Sequence, residues 1–169
     1  MTRQGLINKH LAYCVVLLFA FILQAGGNNL QFNALFEPDL IFAFIVAAAM
    51  LEGEVFGFAY GLAGGVICDI LGSRPGYFAL FYMLLGYGVS LVIRYLVVNN
   101  IKSYVIICFA GYFLMSVITF FLVHVIWGQG GFFDLIINVI FKRGIATVIT
   151  GVGIYYLLRF LGEKAESIE

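Results

Sequence analysis

The chain has 169 residues, of which 63% are hydrophobic and 11% are charged, and its nine basic and nine acidic residues sum to zero net charge. A soluble domain of this length has too little interior to hide so much apolar surface, so the composition excludes an ordinary soluble protein and indicates an integral membrane protein. No block of Lys and Arg is present, which argues against nucleic-acid binding. We therefore expect its partners to be membrane lipids and other proteins in the membrane or at its faces.

Six apolar segments predict an all-α fold, a compact six-transmembrane-helix bundle that forms one integral-membrane domain over residues 1–169. The predicted spans are roughly 11–30, 37–51, 55–71, 77–98, 104–127 and 144–161. The first lacks a small-residue cleavage site at the usual distance, which predicts a retained helix. The second is short for a hydrocarbon core of about 30 Å, but Pro38 can sit in its first turn, where the missing N–H is harmless. Segment 131–143 mixes Phe and Ile with charges, so it either lies at the membrane interface or begins the last span.

The distribution of basic residues predicts the orientation, because Lys and Arg near short loops are retained in the cytoplasm. If the N-terminus is inside, six basic residues lie in the cytoplasm and three lie outside. The cytoplasmic set is Arg3, Lys9, Arg94, Lys102, Arg159 and Lys164, and the outer set is Arg74, Lys142 and Arg143. We therefore expect both termini in the cytoplasm, which agrees with an even number of spans.

The third predicted helix lies in GEVFGFAYGLAGGVICDILGSRPG, from Gly53 to Gly76, and has one nearly bare face. Gly57, Gly61 and Gly65 recur every four residues, and Gly64 lies beside them. Residues four apart share a face of a helix, and small residues there let a second helix approach closely. The spacing predicts a helix-packing or partner interface along this face.

A polar cluster is predicted at the outer face of the membrane. Its members are Glu37, Pro38, Asp39, Asp69 and Arg74. Asp69 lies within an apolar run, where a carboxylate is costly unless it finds a partner, and Arg74 is the nearest cation. The alternative is that the turn after Asp69 only closes the third helix. We expect Asp69 to act as a structural or partner-binding anion.

Motifs for catalysis, metals and cofactors are absent from the sequence. Neither His10 nor His124 has a second His, Asp or Glu at i+3 or i+4, as a helical metal site requires. Cys14, Cys68 and Cys108 lie singly in apolar runs and are expected to be packing residues. No Ser lies in a nucleophile-elbow motif, and no Lys-Ser/Thr pair follows the glycines. The sequence predicts no enzyme, no cofactor and no metal.

One segment carries a family resemblance, and it runs from Phe36 to Tyr87: FEPDLIFAFIVAAAMLEGEVFGFAYGLAGGVICDILGSRPGYFALFYMLLGY. It resembles the core of the bacterial rod shape-determining protein family MreD. The shared features are Pro38-Asp39 opening a short apolar helix, a glycine-spaced helix that ends in Asp69, and a Gly/Ser turn before the next span. The segment covers 52 of the 169 residues. Its acidic turn, Glu52-Gly53-Glu54, departs from the neutral or basic turn that is expected in the family.

The resemblance implies a non-catalytic scaffold of the cell-wall elongation machinery, the elongasome, in the bacterial cytoplasmic membrane. Members of the family bind the single-span protein MreC and help connect the filament-forming MreB to peptidoglycan synthases, which maintains rod cell shape. Two other classes stay open. One is the substrate-binding subunit of an energy-coupling vitamin transporter, a six-helix bundle that could dock its transport partner through Ala47-Ala48-Ala49. The other is a small membrane enzyme or lipid carrier that uses Asp69 or Glu37.

Overall fold

The protein is all-helical in the computed structural model, which describes residues 3–27, 38–72, 77–96, 98–121 and 141–167. Its helices match the six predicted segments in order, with shifted ends. They are α1 (Arg3–Gly27), α2 (Leu40–Glu52), α3 (Glu54–Gly72), α4 (Tyr77–Tyr95), α5 (Ile101–Phe120) and α6 (Phe141–Ser167). The all-α prediction is therefore confirmed. Most of the segment 131–143 lies outside the described residues, and its last three residues belong to α6.

Four of the described helices are long and apolar enough to cross a membrane, which confirms the membrane character at the level of length and composition. These stretches are Gln4–Gly26, Tyr77–Tyr95, Ile101–Ile118 and Lys142–Lys164. The apolar helix α2 is shorter, with 13 residues, or about 20 Å at ~1.5 Å per residue. Six spans and the orientation of the termini stay predictions.

The centre of the bundle is α2. Every residue from Ile41 to Met50 is at most 3% exposed, and α2 contacts all five other helices. A helix that is apolar on every side must be surrounded by other apolar elements to be buried. The sequence draws attention to the glycine-rich α3 and predicts α2 as the shortest of the six spans. The packing of the helices corrects this emphasis, because it places α2 at the centre.

The other helices surround α2, and consecutive helices run antiparallel. The most extensive contact is between α3 and α4, while α6 packs between α1 and α5. We call the end of the bundle that holds the α2–α3 turn at Gly53 the turn end, and the other the Asp39 end. The hydroxyl of Tyr13 on α1 donates to the carbonyl of Leu158 on α6 (3.1 Å), which joins the start of α1 to the later part of α6. Both described chain ends therefore lie at the turn end.

Candidate functional site

The glycine face of α3 lies directly against α4. A Cβ atom added to Gly61 would overlap the backbone carbonyl group of Tyr82, and one added to Gly57 would lie 2.7 Å from the carbonyl oxygen of Gly86. Gly65 meets the backbone of α4 in the same way. Because the obstacle is backbone, no change of rotamer could make room for a side chain. Gly86 is the matching small residue on α4, since its own Cβ would overlap the carbonyl of Gly57.

The fourth glycine of the set, Gly64, faces the central helix instead. Its added Cβ would lie 2.9 Å from the Cδ1 atom of Ile45 and 3.0 Å from the Cγ2 atom of Ile41. All four predicted glycines are buried against helices of this chain. The structure thus uses the face for internal helix packing and leaves no room on it for a helix from a partner.

At the start of α2, Asp39 makes hydrogen bonds with four helices. It is the N-cap residue of α2, and its Oδ1 accepts a hydrogen bond from the backbone N–H of Phe42 (3.0 Å). Its Oδ2 accepts from the hydroxyl of Tyr82 on α4 (2.8 Å), and Oδ1 also accepts from Nε2 of Gln24 on α1 (3.4 Å). The backbone N–H of Asp39 donates to Oγ1 of Thr147 on α6 (3.0 Å). Asp is among the preferred N-cap residues, which explains the local structure. Because α2 begins at Leu40, Pro38 precedes the cap, and its predicted place in the first turn of the helix is wrong.

Gln24 and Thr147 complete this network, and sequence reasoning missed both. The Oε1 atom of Gln24 accepts from the backbone N–H of Ile41 (3.2 Å), so α1 caps a second free N–H of α2. The hydroxyl of Thr147 donates back to the carbonyl of Arg143 (2.8 Å). The available signal was a single Gln in the otherwise apolar last third of α1. It could not identify the partner, which lies 15 residues later.

Asp69 holds the start of α4. Its Oδ1 accepts from the backbone N–H of Phe78 and its Oδ2 from that of Ala79, both at 2.9 Å. A carboxylate at a helix N-terminus satisfies free N–H groups and interacts favourably with the helix dipole. Of the predicted outer cluster, Pro38, Asp39 and Asp69 lie at the same end of the bundle. Glu37 and Arg74 lie outside the described residues, so the expected ion pair of Asp69 with Arg74 stays a prediction.

The acidic turn between α2 and α3 is neutralised by cations from two other helices. Gly53 has a φ of +84°, a conformation that side chains rarely adopt. The Nζ atom of Lys9 on α1 lies 2.7 Å from Oε1 of Glu52, and both side chains are largely buried, at 12% and 7% exposure. The guanidinium of Arg94 on α4 lies 2.6 Å from Oε1 of Glu54 in a more exposed pair. Each acid of this turn therefore has a cation as its partner, although neutral or basic residues are expected at this turn in the MreD family.

His10 lies in a ring cluster beside this turn. Its ring stacks on Phe56 with 3.9 Å between ring centroids, and Nδ1 shares a hydrogen bond of 2.8 Å with the hydroxyl of Tyr60. No group of three or more His, Cys, Asp or Glu that could hold a metal occurs in the described part of the chain. The packing of His10 against α3 is that of a structural residue.

Comparison with known proteins adds no relative: no family model, no curated protein and no solved structure matches this chain. Membership of the MreD family therefore stays a prediction from the resemblance of residues 36–87.

Proposed function

We propose that this chain is a non-catalytic scaffold of the cell-wall elongation machinery, an MreD-like multi-pass protein of the bacterial cytoplasmic membrane that helps maintain rod cell shape. The proposal includes six spans with both termini in the cytoplasm. It is supported by the order of the sequence features in residues 36–87. It is also supported by the hydrogen bonds that polar side chains make between helices of the bundle.

The observation that carries the proposal is that a buried helix, α2, fills the axis of the bundle. The central helix α2 is buried along its length, and side chains of other helices bond to its backbone. The hydroxyl of Tyr104 on α5 donates to the carbonyl of Ala43 (3.1 Å), and that of Ser90 on α4 donates to the carbonyl of Ala49 (2.8 Å). Such bonds fix the helices relative to one another. They support a role in assembly, because they hold the interior of the described bundle in one arrangement.

The partner in this proposal is an MreC-like single-span membrane protein, through which the chain is linked to MreB and to peptidoglycan synthases. Because Gly57, Gly61, Gly64 and Gly65 face helices of this chain, the partner's span would pack on the outside of the bundle. Exposed apolar side chains cover much of that outside, including Leu11 of α1. Helix association in a membrane depends on close packing of such faces.

The two competing classes gain less support from the same geometry. Ala47, Ala48 and Ala49 are at most 1% exposed in the central helix, so this run cannot serve as the docking face of a vitamin-transporter subunit. Asp69 is engaged by two backbone N–H groups, which is a structural use of the carboxylate. Neither observation favours a transporter subunit or an enzyme over a scaffold.

The test is affinity purification from native membranes of a rod-shaped bacterium, combined with complementation of cells that are depleted of their own MreD. We expect a single-span protein with an external coiled coil to co-purify, and we expect rod shape to be restored. A tightly bound small aromatic ligand with no single-span partner would overturn the proposal in favour of the transporter subunit.

A further inference from the structure

A cleft of about 400 Å³ opens at the turn end, between the end of α2, the start of α3 and the end of α4. This volume is in the range of small-ligand sites, roughly 300–1,000 Å³. The lining combines apolar side chains with charges of both signs. The apolar lining includes Met50, Phe56 and Ile93, and the charged lining is Glu52, Glu54 and Arg94.

The charges of the cleft differ in depth. Glu52 is the deep one, with 7% of its side chain exposed, whereas the side chain of Arg94 is 63% exposed. The Oε1 atom of Glu52 lies 2.7 Å from the ammonium of Lys9 and is almost wholly buried. The side chains of Glu54 and Arg94 are more exposed, at 24% and 63%. The cleft therefore offers a ligand the carboxylate of Glu54 and the guanidinium of Arg94.

The cleft also continues into the apolar outer surface of α3. Val55 lines the cleft and is 76% exposed. Phe58, Leu62 and Val66 follow it at helical spacing and are exposed as well, so the four side chains form one apolar stripe along α3. In a membrane such a stripe contacts the acyl chains of lipids. A ligand in the cleft can therefore have a polar head and an apolar tail.

We propose that this cleft binds the headgroup of a phospholipid that carries both a primary ammonium and a phosphate, as phosphatidylethanolamine does. The ammonium group donates to the carboxylate of Glu54, the phosphate accepts from Arg94, and an acyl chain follows the stripe that begins at Val55. Such a headgroup matches a lining with both signs of charge, and the stripe gives its acyl chain an apolar surface to follow. The site does not depend on the scaffold function proposed above.

The test uses the full-length protein in nanodiscs that contain equal amounts of phosphatidylethanolamine, phosphatidylcholine and phosphatidylglycerol, followed by native mass spectrometry of the lipids it retains. Phosphatidylcholine is the critical comparison, because its quaternary ammonium has the same charge but no N–H donor. We expect retention of phosphatidylethanolamine to exceed that of phosphatidylcholine. Glu54→Gln should lower this retention about tenfold, as loss of one charge-assisted hydrogen bond implies.

Glu163→Gln is the matched control. It removes the same charge from an exposed ion pair, Arg159 with Glu163 (2.9 Å), and should leave the lipid preference unchanged. If Glu54→Gln lowers the melting temperature, Arg94→Gln, at a far more exposed side chain, tests the phosphate contact and should lower the retention of both zwitterionic lipids. Equal retention of the two zwitterionic lipids, a preference for phosphatidylethanolamine that survives Glu54→Gln, retention that Arg94→Gln leaves unchanged, or strongest retention of phosphatidylglycerol would overturn the proposal.

A photocrosslinking amino acid in place of Val55 identifies the occupant directly in native membranes. An adduct with the mass of phosphatidylethanolamine supports the proposal. An adduct with another protein would overturn it and assign the cleft to a partner peptide.

Discussion

Two aspartates at one end of the bundle fix the starts of two helices. Asp39 caps α2 and also bonds to Tyr82 and Gln24, while Asp69 caps α4 from the end of α3. Free backbone N–H groups at a helix start are costly inside an apolar bundle, and a carboxylate can accept several of them. Each aspartate is therefore a structural residue whose replacement should affect assembly first.

Replacing Asp39 tests its structural role most directly. Asp39→Ala removes the acceptors of Phe42, Tyr82 and Gln24 together, and we expect it to lower the free energy of unfolding by about 2–3 kcal/mol or more, since buried donors lose their partners. Tyr82→Phe deletes one hydroxyl of the same network and should cost only about 1 kcal/mol. Denaturant unfolding in detergent micelles measures both. An Asp39→Ala protein as stable as the wild type would contradict the structural role.

Replacing Asp69 separates an anchoring carboxylate from a proton carrier. Asp69→Asn keeps one oxygen acceptor for the backbone N–H groups of Phe78 and Ala79, so we expect partial recovery of the proposed single-span partner and partial rescue of rod shape. Asp69→Leu keeps no acceptor and should abolish both. The two variants are compared in the same cells by pull-down and microscopy. A fully assembled but functionless Asn variant would instead indicate proton transfer and revive the transporter and enzyme classes.

At the scale of elements, the closest pair of helices is α3 with α4, and its contact is made by backbone. Gly61→Leu should break this contact, because a side chain at Gly61 collides with the main chain of Tyr82. Overpacking of this kind costs roughly 1–3 kcal/mol or more. Gly61→Ala, with one added methyl group, should already lower the melting temperature in detergent.

Two control variants accompany this prediction. Gly88→Ala adds the same methyl group to α4 at a position with nothing within 4 Å, so it should be neutral or slightly stabilising through helix propensity. Phe58→Leu changes an exposed side chain of α3 and should be mild. If Gly61 tolerates Leu as well as Phe58 does, the α3–α4 contact is not the close interface seen here.

At the scale of the whole molecule, the start of α1 and the later part of α6 lie side by side. A Cβ atom added to Gly162 would lie 3.3 Å from the Cε atom of Lys9. Both described chain ends therefore belong to the same end of the bundle, and the excess of basic residues predicts that this end faces the cytoplasm.

Reporter fusions test this orientation. We expect green fluorescent protein to fluoresce and alkaline phosphatase to be inactive when fused to either terminus. A phosphatase fused within 128–140, after the fifth predicted span, should be active and provides the control. Reporters that place the two termini on opposite sides would refute an even number of spans.

Several features followed from the sequence alone. The helices and their order were predictable because apolar runs of membrane length are local patterns. Close packing at Gly57, Gly61 and Gly65 was predictable for the same reason, since spacing along one helix places small residues on one face. The N-cap role of Asp39 is not among these features, because the sequence predicts Pro38 in the first turn and so puts Asp39 inside the helix.

Only the tertiary structure decided which helix is central and which side chains meet. Lipid tails and the protein interior are both apolar, so hydropathy cannot distinguish the buried α2 from helices that face lipid. The partners of Asp39 on the other helices, Gln24, Tyr82 and Thr147, lie 15, 43 and 108 residues away. Likewise, Lys9 and Arg94 reach the acidic turn from separate helices. These pairings arise from the packing of whole helices, which no pattern within a single segment encodes.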